Sequence, residues 1–336
     1  MPFLSRTVVV HVSKAGEHKQ AFPTARAGEN VQAFPTPGAG ENMQERELEI
    51  LGGSLYYELT KEGAFITRLQ GMASEISIPE RIEDTLVVGI GKKAFLSRKN
   101  LRCITLPETI MEIGDWAFAY CDALERVVLP GKQIRFGKAV FLECSSLAQI
   151  TTAADSFPAE LLATAVREFE AYYLLDMTDA GSEEWLKKWD AKLVSIMKAS
   201  DQDGYSKQVL CGEEDYGSTD MEAYTSGRRK RKVRLALLRC LFSQGLSPDL
   251  KKELHTYLLA HTKGGESEET WQVVLKEHGD HREYYKLFVE LGCIREDNQN
   301  AILSDIGEEY PEMKAYFLRC HKEQAESADF FASLDI

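Results

Sequence analysis

The 336-residue sequence predicts an α+β protein: a short solenoid of strand-bearing coils with an N-terminal hairpin cap, followed by an all-α domain. Three observations carry this. Residues recur at a period of 23: Gly91, Gly114 and Gly137; Phe95, Phe118 and Phe141; Leu101, Leu124 and Leu147; Ile104, Val127 and Ile150. Upstream, LYYELTKEGAFITRL has two alternating runs around Lys61, Glu62 and Gly63, the pattern of a hairpin that caps the first coil. From Pro158 onward the apolar period changes from about two to about 3.6, with no long alternating run.

Taken in order, residues 1–44 come first and carry a different repeat, of period 12: AGEHKQAFPTAR, AGENVQAFPTPG, AGENMQ. Exposed and apolar positions are retained alike, which marks a duplicated stretch rather than a unit shaped by packing. Its Pro, Gly and polar content cannot fill a core, so this segment is expected to be disordered. Native translation is expected to begin at Met43. The solenoid is assigned to residues 45–154 and the helical domain to 155–336.

Within the solenoid each unit reads Leu-x-x-Ile-x-Leu-Pro, then Ile-x-x-Ile-Gly-x-x-Ala-Phe. The alternation around Ile104 and Leu106 predicts a short strand with one buried face. Pro107 and Pro130 lack an N–H and end it, while the glycines are expected to turn the chain at little steric cost. Stacking would align the apolar residues as ladders roughly 4.8 Å apart. Pro79 and Ile90 are 11 apart where Pro107 and Ile113 are 6 apart, so the first unit carries a five-residue insertion around Arg81 to Thr85. Leu-Pro gives way to Thr152 and Ala153, where the solenoid should stop. Cys121 and Cys144 share a register, and small buried thiols are expected there rather than a disulfide.

The period falls in the range of leucine-rich repeats. The string IMEIGDWAFAYCDALERVVLP, from Ile110 to Pro130, resembles the BspA-type bacterial leucine-rich repeat pattern IxxIGxxAFxxCxxLxxIxLP. The resemblance covers roughly residues 46–153. It implies a repeat protein that binds partners, of a kind often displayed on cell surfaces.

In the helical half, Leu162, Val166, Phe169 and Tyr173 fall on one stripe. Ser182, Ser247 with Pro248, and Gly292 read as helix caps. Segments 270–292 and 299–321 each read as helix, turn and helix, offset by about 29, and weakly resemble ankyrin-like hairpins. An α-solenoid and a plain helical bundle both remain open.

Charge and motifs narrow the function. Forty basic against 53 acidic residues give −13, which opposes nonspecific binding to nucleic acid or anionic membrane. Only residues 86–150 are net positive, with nine basic residues against six acidic. No apolar run spans a bilayer. Seven cysteines without a Cys-x-x-Cys pair, together with no recognisable signal peptide, predict reduced thiols in a cytoplasmic protein. Nucleophile elbow, P-loop, dinucleotide and zincin motifs are absent, so no catalytic residue, cofactor or small-molecule substrate is assigned. His278 and His281 lack a third ligand at a metal spacing, and CGEEDYG (211–217) lacks an EF-hand pattern.

The expectation is therefore a non-catalytic, protein-binding scaffold. Lys92, Lys93, Arg98, Lys99 and Arg102 are its candidate partner-binding cluster. A second basic run comprises Arg228, Arg229, Lys230, Arg231, Lys232 and Arg234. It opens an amphipathic helix and is expected to be solvated or paired, with Glu213, Glu214 and Asp215 as candidate partners. Nucleic acid is not an expected ligand, since interleaved aromatics are missing. The alternatives are a surface adhesin exported by an unrecognised route, or an enzyme with its site in the helical half.

Overall fold

The computed structural model describes residues 44–152, 158–205 and 220–320. The expectations for residues 1–43, for Ala153, and for the acidic loop carrying Glu213, Glu214 and Asp215 lie outside the described residues. The chain divides into two compact units, Met1–Trp185 and Leu186–Ile336.

The first unit opens with three antiparallel strands, β1 (Arg46–Ile50), β2 (Gly53–Leu59) and β3 (Ala64–Gly71). β2 and β3 are the expected hairpin, closed by the Thr60 hydroxyl, which donates to the Gly63 carbonyl at 2.9 Å and accepts from its amide at 3.2 Å. β3 converts cap into coil, pairing antiparallel with β2 and parallel with β6 (Thr85–Ile90). This sheet continues in parallel through β8 (Glu112–Ile113) and β10 (Arg135–Phe136).

A second, wholly parallel sheet runs through β4 (Glu75–Ser77), β7 (Cys103–Thr105), β9 (Arg126–Leu129) and β11 (Gln149–Thr152). Facing residues are 23 apart, as Cys103 with Arg126 and Arg126 with Gln149. Glu75, however, faces Cys103, 28 positions on, because of the insertion. The inserted residues form a tight hairpin, β5 (Arg81–Ile82), which folds back on the start of β6 with Glu83 in its turn at φ 54°. Two sheets thus wrap about four coils of solenoid over residues 64–152.

The core is a set of one-residue ladders. Phe95, Phe118 and Phe141 stack with ring centroids 5.0 and 5.4 Å apart. The Leu101 and Ile104 columns are fully buried. Cys121 and Cys144 are free, buried thiols that donate to the Phe95 and Phe118 carbonyls at 3.0 and 3.1 Å. Burial pushes their pKa up to about 11 and about 12, so both are un-ionised at neutral pH.

The glycine column works differently from expectation. None of Gly91, Gly114 and Gly137 has a positive φ. A Cβ on Gly114 would lie 2.6 Å from the Lys92 nitrogen, and one on Gly137 2.5 Å from the Asp115 nitrogen, so glycine permits the coils to approach. The left-handed turns fall on other residues, again 23 apart: Lys93, Trp116 and Ala139, and Ser97, Tyr120 and Glu143. Such conformations cost on the order of 1 kcal/mol each. An amide ladder between coils offsets them: Lys93, Phe95 and Ser97 donate to the carbonyls of Asp115, Ala117 and Ala119 at 3.0, 2.7 and 2.8 Å. Trp116, Phe118 and Tyr120 repeat the pattern to Lys138, Val140 and Leu142.

Two alanine substitutions separate close approach from chain flexibility. Gly114→Ala is expected to lower the urea midpoint of the solenoid, costing about 2 to 3 kcal/mol as the Cβ forces coils apart. Gly227→Ala, in a helix with nothing within 4 Å of the added carbon, is expected to raise stability by about 0.5 to 1 kcal/mol. Equal and small effects at both positions would contradict the packing role of the glycine column.

Helix α1 (Ala159–Arg167) covers the last coil, with Arg167 donating to the Leu147 carbonyl at 2.9 Å and Gln149 to Glu160 at 3.2 Å. The Phe141 amide, whose counterparts in earlier coils reach the next coil, donates to the Tyr172 hydroxyl at 3.1 Å. Leu162, Val166 and Phe169 are buried as expected, but Tyr173 is 60% exposed. The helix ends at Arg167 and Glu170 takes φ 49°, which breaks the phase and turns Tyr172 toward the solenoid.

Among the described residues the further α-helices are α2 (Glu183–Lys198), α3 (Met221–Leu241), α4 (Pro248–Ala260), α5 (Glu269–His278), α6 (Arg282–Glu290) and α7 (Gln299–Ile306), with another helix over 311–320. The predicted caps form: the Ser182 hydroxyl accepts from Trp185 N at 3.1 Å, Ser247 accepts from Leu250 N at 3.2 Å, and Gly292 follows α6 at φ 72°. α5 with α6, and α7 with the 311–320 helix, are the two expected helix–turn–helix segments. They share buried Trp271, Phe288 and Phe317, whose rings lie 5.4 to 6.4 Å apart.

Candidate protein-binding face of the solenoid

The 23-residue register decides which cations stay available. Lys99 pairs with Asp122, Arg102 with Glu125 at 2.8 Å, and Arg135 with Glu112 at 2.6 Å, each bridging adjacent coils at one register position. These exposed pairs contribute little to stability, about 0 to 1 kcal/mol each, but they match Lys99 and Arg102, two of the five cations of the cluster, to carboxylates. Arg98 occupies the register position that Cys121 and Cys144 fill above it and is half-buried, with its Nε lacking a hydrogen-bond partner.

Lys92 and Lys93 are placed differently. Both are exposed, and their ammonium groups lie 5.2 and 5.5 Å from the centre of the Trp116 ring in the next coil. Trp116 reaches this place because residue 116 is one of the left-handed corners, and Tyr120, the second corner of that coil, is 44% exposed. Lys138 is exposed one coil further on. The outcome is a corner face with two aromatic rings among three lysines. Cations over an aromatic face contribute about 0.5 to 1 kcal/mol when exposed and more when a partner excludes water. The charge pattern of the sequence points to Lys92 and Lys93 but to neither ring. Their signal was present as Trp116 and Tyr120 interrupting columns of otherwise small or polar residues.

The second basic run is largely held inside the helical unit. Arg229 pairs with Asp201 at 3.2 Å and approaches Glu269 at 3.7 Å. Lys232 is buried, 2.7 Å from Asp201, and donates to the Ala199 carbonyl at 2.6 Å. Arg234 makes a bidentate pair with Glu277, both bonds 2.7 Å. Arg228, Lys230 and Arg231 are half-buried on the same helix. Among the described residues the acids that meet this run come from distant positions.

His278 stacks on Tyr284 at 3.6 Å, and burial lowers its pKa to about 4. Among the described residues no three His, Cys, Asp or Glu side chains are placed to share a metal ion, and no helix is long and apolar enough to cross a membrane.

A match to a family model supports the coil assignment. Residues 70–158 match the family model described as BspA type leucine rich repeat region (6 copies). Among solved structures, a leucine-rich repeat protein of T. pallidum is 34% identical over 28% of this chain and 45% of its own, with a TM-score of 0.28. A leucine-rich cell surface protein of Faecalibacterium prausnitzii is 28% identical over 29% of this chain and 28% of its own, with a TM-score of 0.26. A leucine-rich repeat protein of Bacteroides capillosus is 20% identical over 32% of this chain and 97% of its own, with a TM-score of 0.26. The chain therefore spans less than half the length of the first two. No curated protein matches it. The family match ends at residue 158, and the ankyrin-like resemblance of the helical half finds no counterpart in it. The coils and ladders over residues 64–152 agree with that match, and residues 70–158 are similar to the BspA type leucine rich repeat region.

Proposed function

We propose that this protein is a non-catalytic, protein-interaction scaffold that docks an acidic protein segment on the corner face formed by Lys92, Lys93, Trp116, Tyr120 and Lys138. The observation that carries the reading is the pair of exposed lysines flanking Trp116, beside cations of the same cluster that are already matched to carboxylates. Leucine-rich repeat proteins generally mediate protein–protein contacts, which supports the class. A cytoplasmic location is part of the proposal, supported by the thiols of Cys121 and Cys144, adjacent in register yet unpaired.

The test is capture from native-host lysate on the full chain, with nuclease treatment. Wild type should retain protein partners after nuclease, Lys92→Glu/Lys93→Glu and Trp116→Ala should each lose them, and reversal at Arg228 and Lys230 should leave capture unchanged. Partners that survive both corner-face variants, or that vanish with nuclease, would overturn the reading.

A further inference from the structure

In the helical unit, α4 ends at Ala260 with His261 as its C-cap, and the chain turns back through 262–268 to α5. His261 is 9% exposed, and its Nδ1 lies 2.7 Å from the Ser267 hydroxyl. That hydroxyl donates its single proton to a carboxylate oxygen of Glu269. Glu269 is kept ionised: its pKa lies below the usual range because hydrogen bonds from Ser267, its own amide and Ser226, together with the Arg229 charge, outweigh its desolvation. Ser267 therefore has no proton left for the imidazole, and Nδ1–H must be the donor in the other bond. This fixes the tautomer. Nε2 carries a lone pair, and the structure gives it no hydrogen-bond partner among the described residues.

Behind this relay the charges are matched two against two, Arg229 and Lys232 against Asp201 and Glu269. In front of it lies an open cleft of about 740 Å³, lined in part by Asp249, Lys252, Glu253, Tyr257, His261 and Glu266. Three carboxylates face one ammonium there. The Tyr257 ring is 4.3 Å from the His261 ring, its buried hydroxyl has no hydrogen-bond partner, and the Lys232 ammonium already lies 5.9 Å from its centre, so the ring adds to the site less than the carboxylates do. Burial also lowers the His261 pKa, so the ring is a neutral acceptor at pH 7.

We propose that this cleft binds an organic cation with N–H donors, a primary ammonium or a guanidinium, which donates to His261 Nε2 while the Tyr257 ring and the carboxylates of Asp249, Glu253 and Glu266 accept its charge. An aromatic face and an oriented neutral acceptor suit such a group, whereas an anion would meet three carboxylates. The same chemistry is presented by a free polyamine and by a lysine or arginine side chain of a partner.

Calorimetric titration of the full chain with spermidine, and separately with a tetralysine peptide, tests this. Saturable binding of either probe is expected, weakened about tenfold by His261→Gln and severalfold by Glu253→Gln, whose exposed position leaves the fold untouched. The 15N resonance of His261 Nε2 should shift on saturation. Preference for spermidine identifies a free amine as the source, and preference for the peptide a partner side chain. Absence of saturable binding by both probes, or binding that neither variant alters, would overturn the proposal. Because every solenoid residue is intact in these variants, that outcome leaves the corner-face reading standing.

Discussion

Arg239→Met is expected to cost the helical unit about 3 kcal/mol. Arg239 is completely buried on α3. Its guanidinium forks onto Asp190 of α2, at 2.6 and 3.1 Å, and donates to the Gln244 carbonyl at 3.1 Å and to the Phe242 carbonyl. One side chain therefore joins two helices and satisfies carbonyls at the exposed end of α3. Removing it leaves a half-buried carboxylate, its side chain 15% exposed, with no counter-charge, and two carbonyls without their protein donor. The double variant Arg239→Met/Asp190→Leu should recover part of the loss, since the isolated carboxylate is gone, although the carbonyls stay unserved. Urea unfolding followed by far-UV circular dichroism measures both. A double variant no more stable than the single would show that Asp190 is not the group left stranded.

Phe118→Ala should destabilise the solenoid by about 3 to 5 kcal/mol. Phe118 is the middle rung of a three-ring stack and has a ring on either side, at 5.0 and 5.4 Å. Truncation opens a cavity that neither coil can close, because the amide ladder and the glycine column fix their spacing. Phe95→Ala and Phe141→Ala remove end rungs and should cost less. The order of the three urea midpoints checks the stack, and a middle rung no more costly than the ends would contradict it.

Most of the first unit was legible because a solenoid repeats its evidence. A residue such as Leu124 is interpretable alone only as apolar, but with Leu101 and Leu147 in step it names a stacked column. The insertion was visible for the same reason, and the offset between Glu75 and Cys103 reproduces it. Strand β1 escaped because it belongs to the cap, which has no second copy. The corner conformations escaped because the residues bearing them, among them Trp116 and Tyr120, are not those that favour a left-handed backbone. Tyr173 was misplaced by extending a 3.6-residue stripe past the end of its helix.

Among the helices, caps were readable and ion partners were not. Ser182, Ser247 and Gly292 act within a few residues of themselves. Arg229, Lys232 and Arg234, by contrast, find Asp201, Glu269 and Glu277 across helices. The His261 relay was equally hidden, since its serine and glutamate derive their meaning from a turn that brings them to one imidazole.

The left-handed corners carry an evolutionary consequence. Lysine, tryptophan and alanine occupy one corner column, and serine, tyrosine and glutamate the other, all with nearly the same backbone. Tolerance of such unlike side chains means that the corner is imposed by the backbone ladder rather than chosen by the residue in it. Selection can rewrite these positions one coil at a time without disturbing the stack beneath. The solenoid is in this sense a typeface: its frame is set once, and the characters it presents are interchangeable.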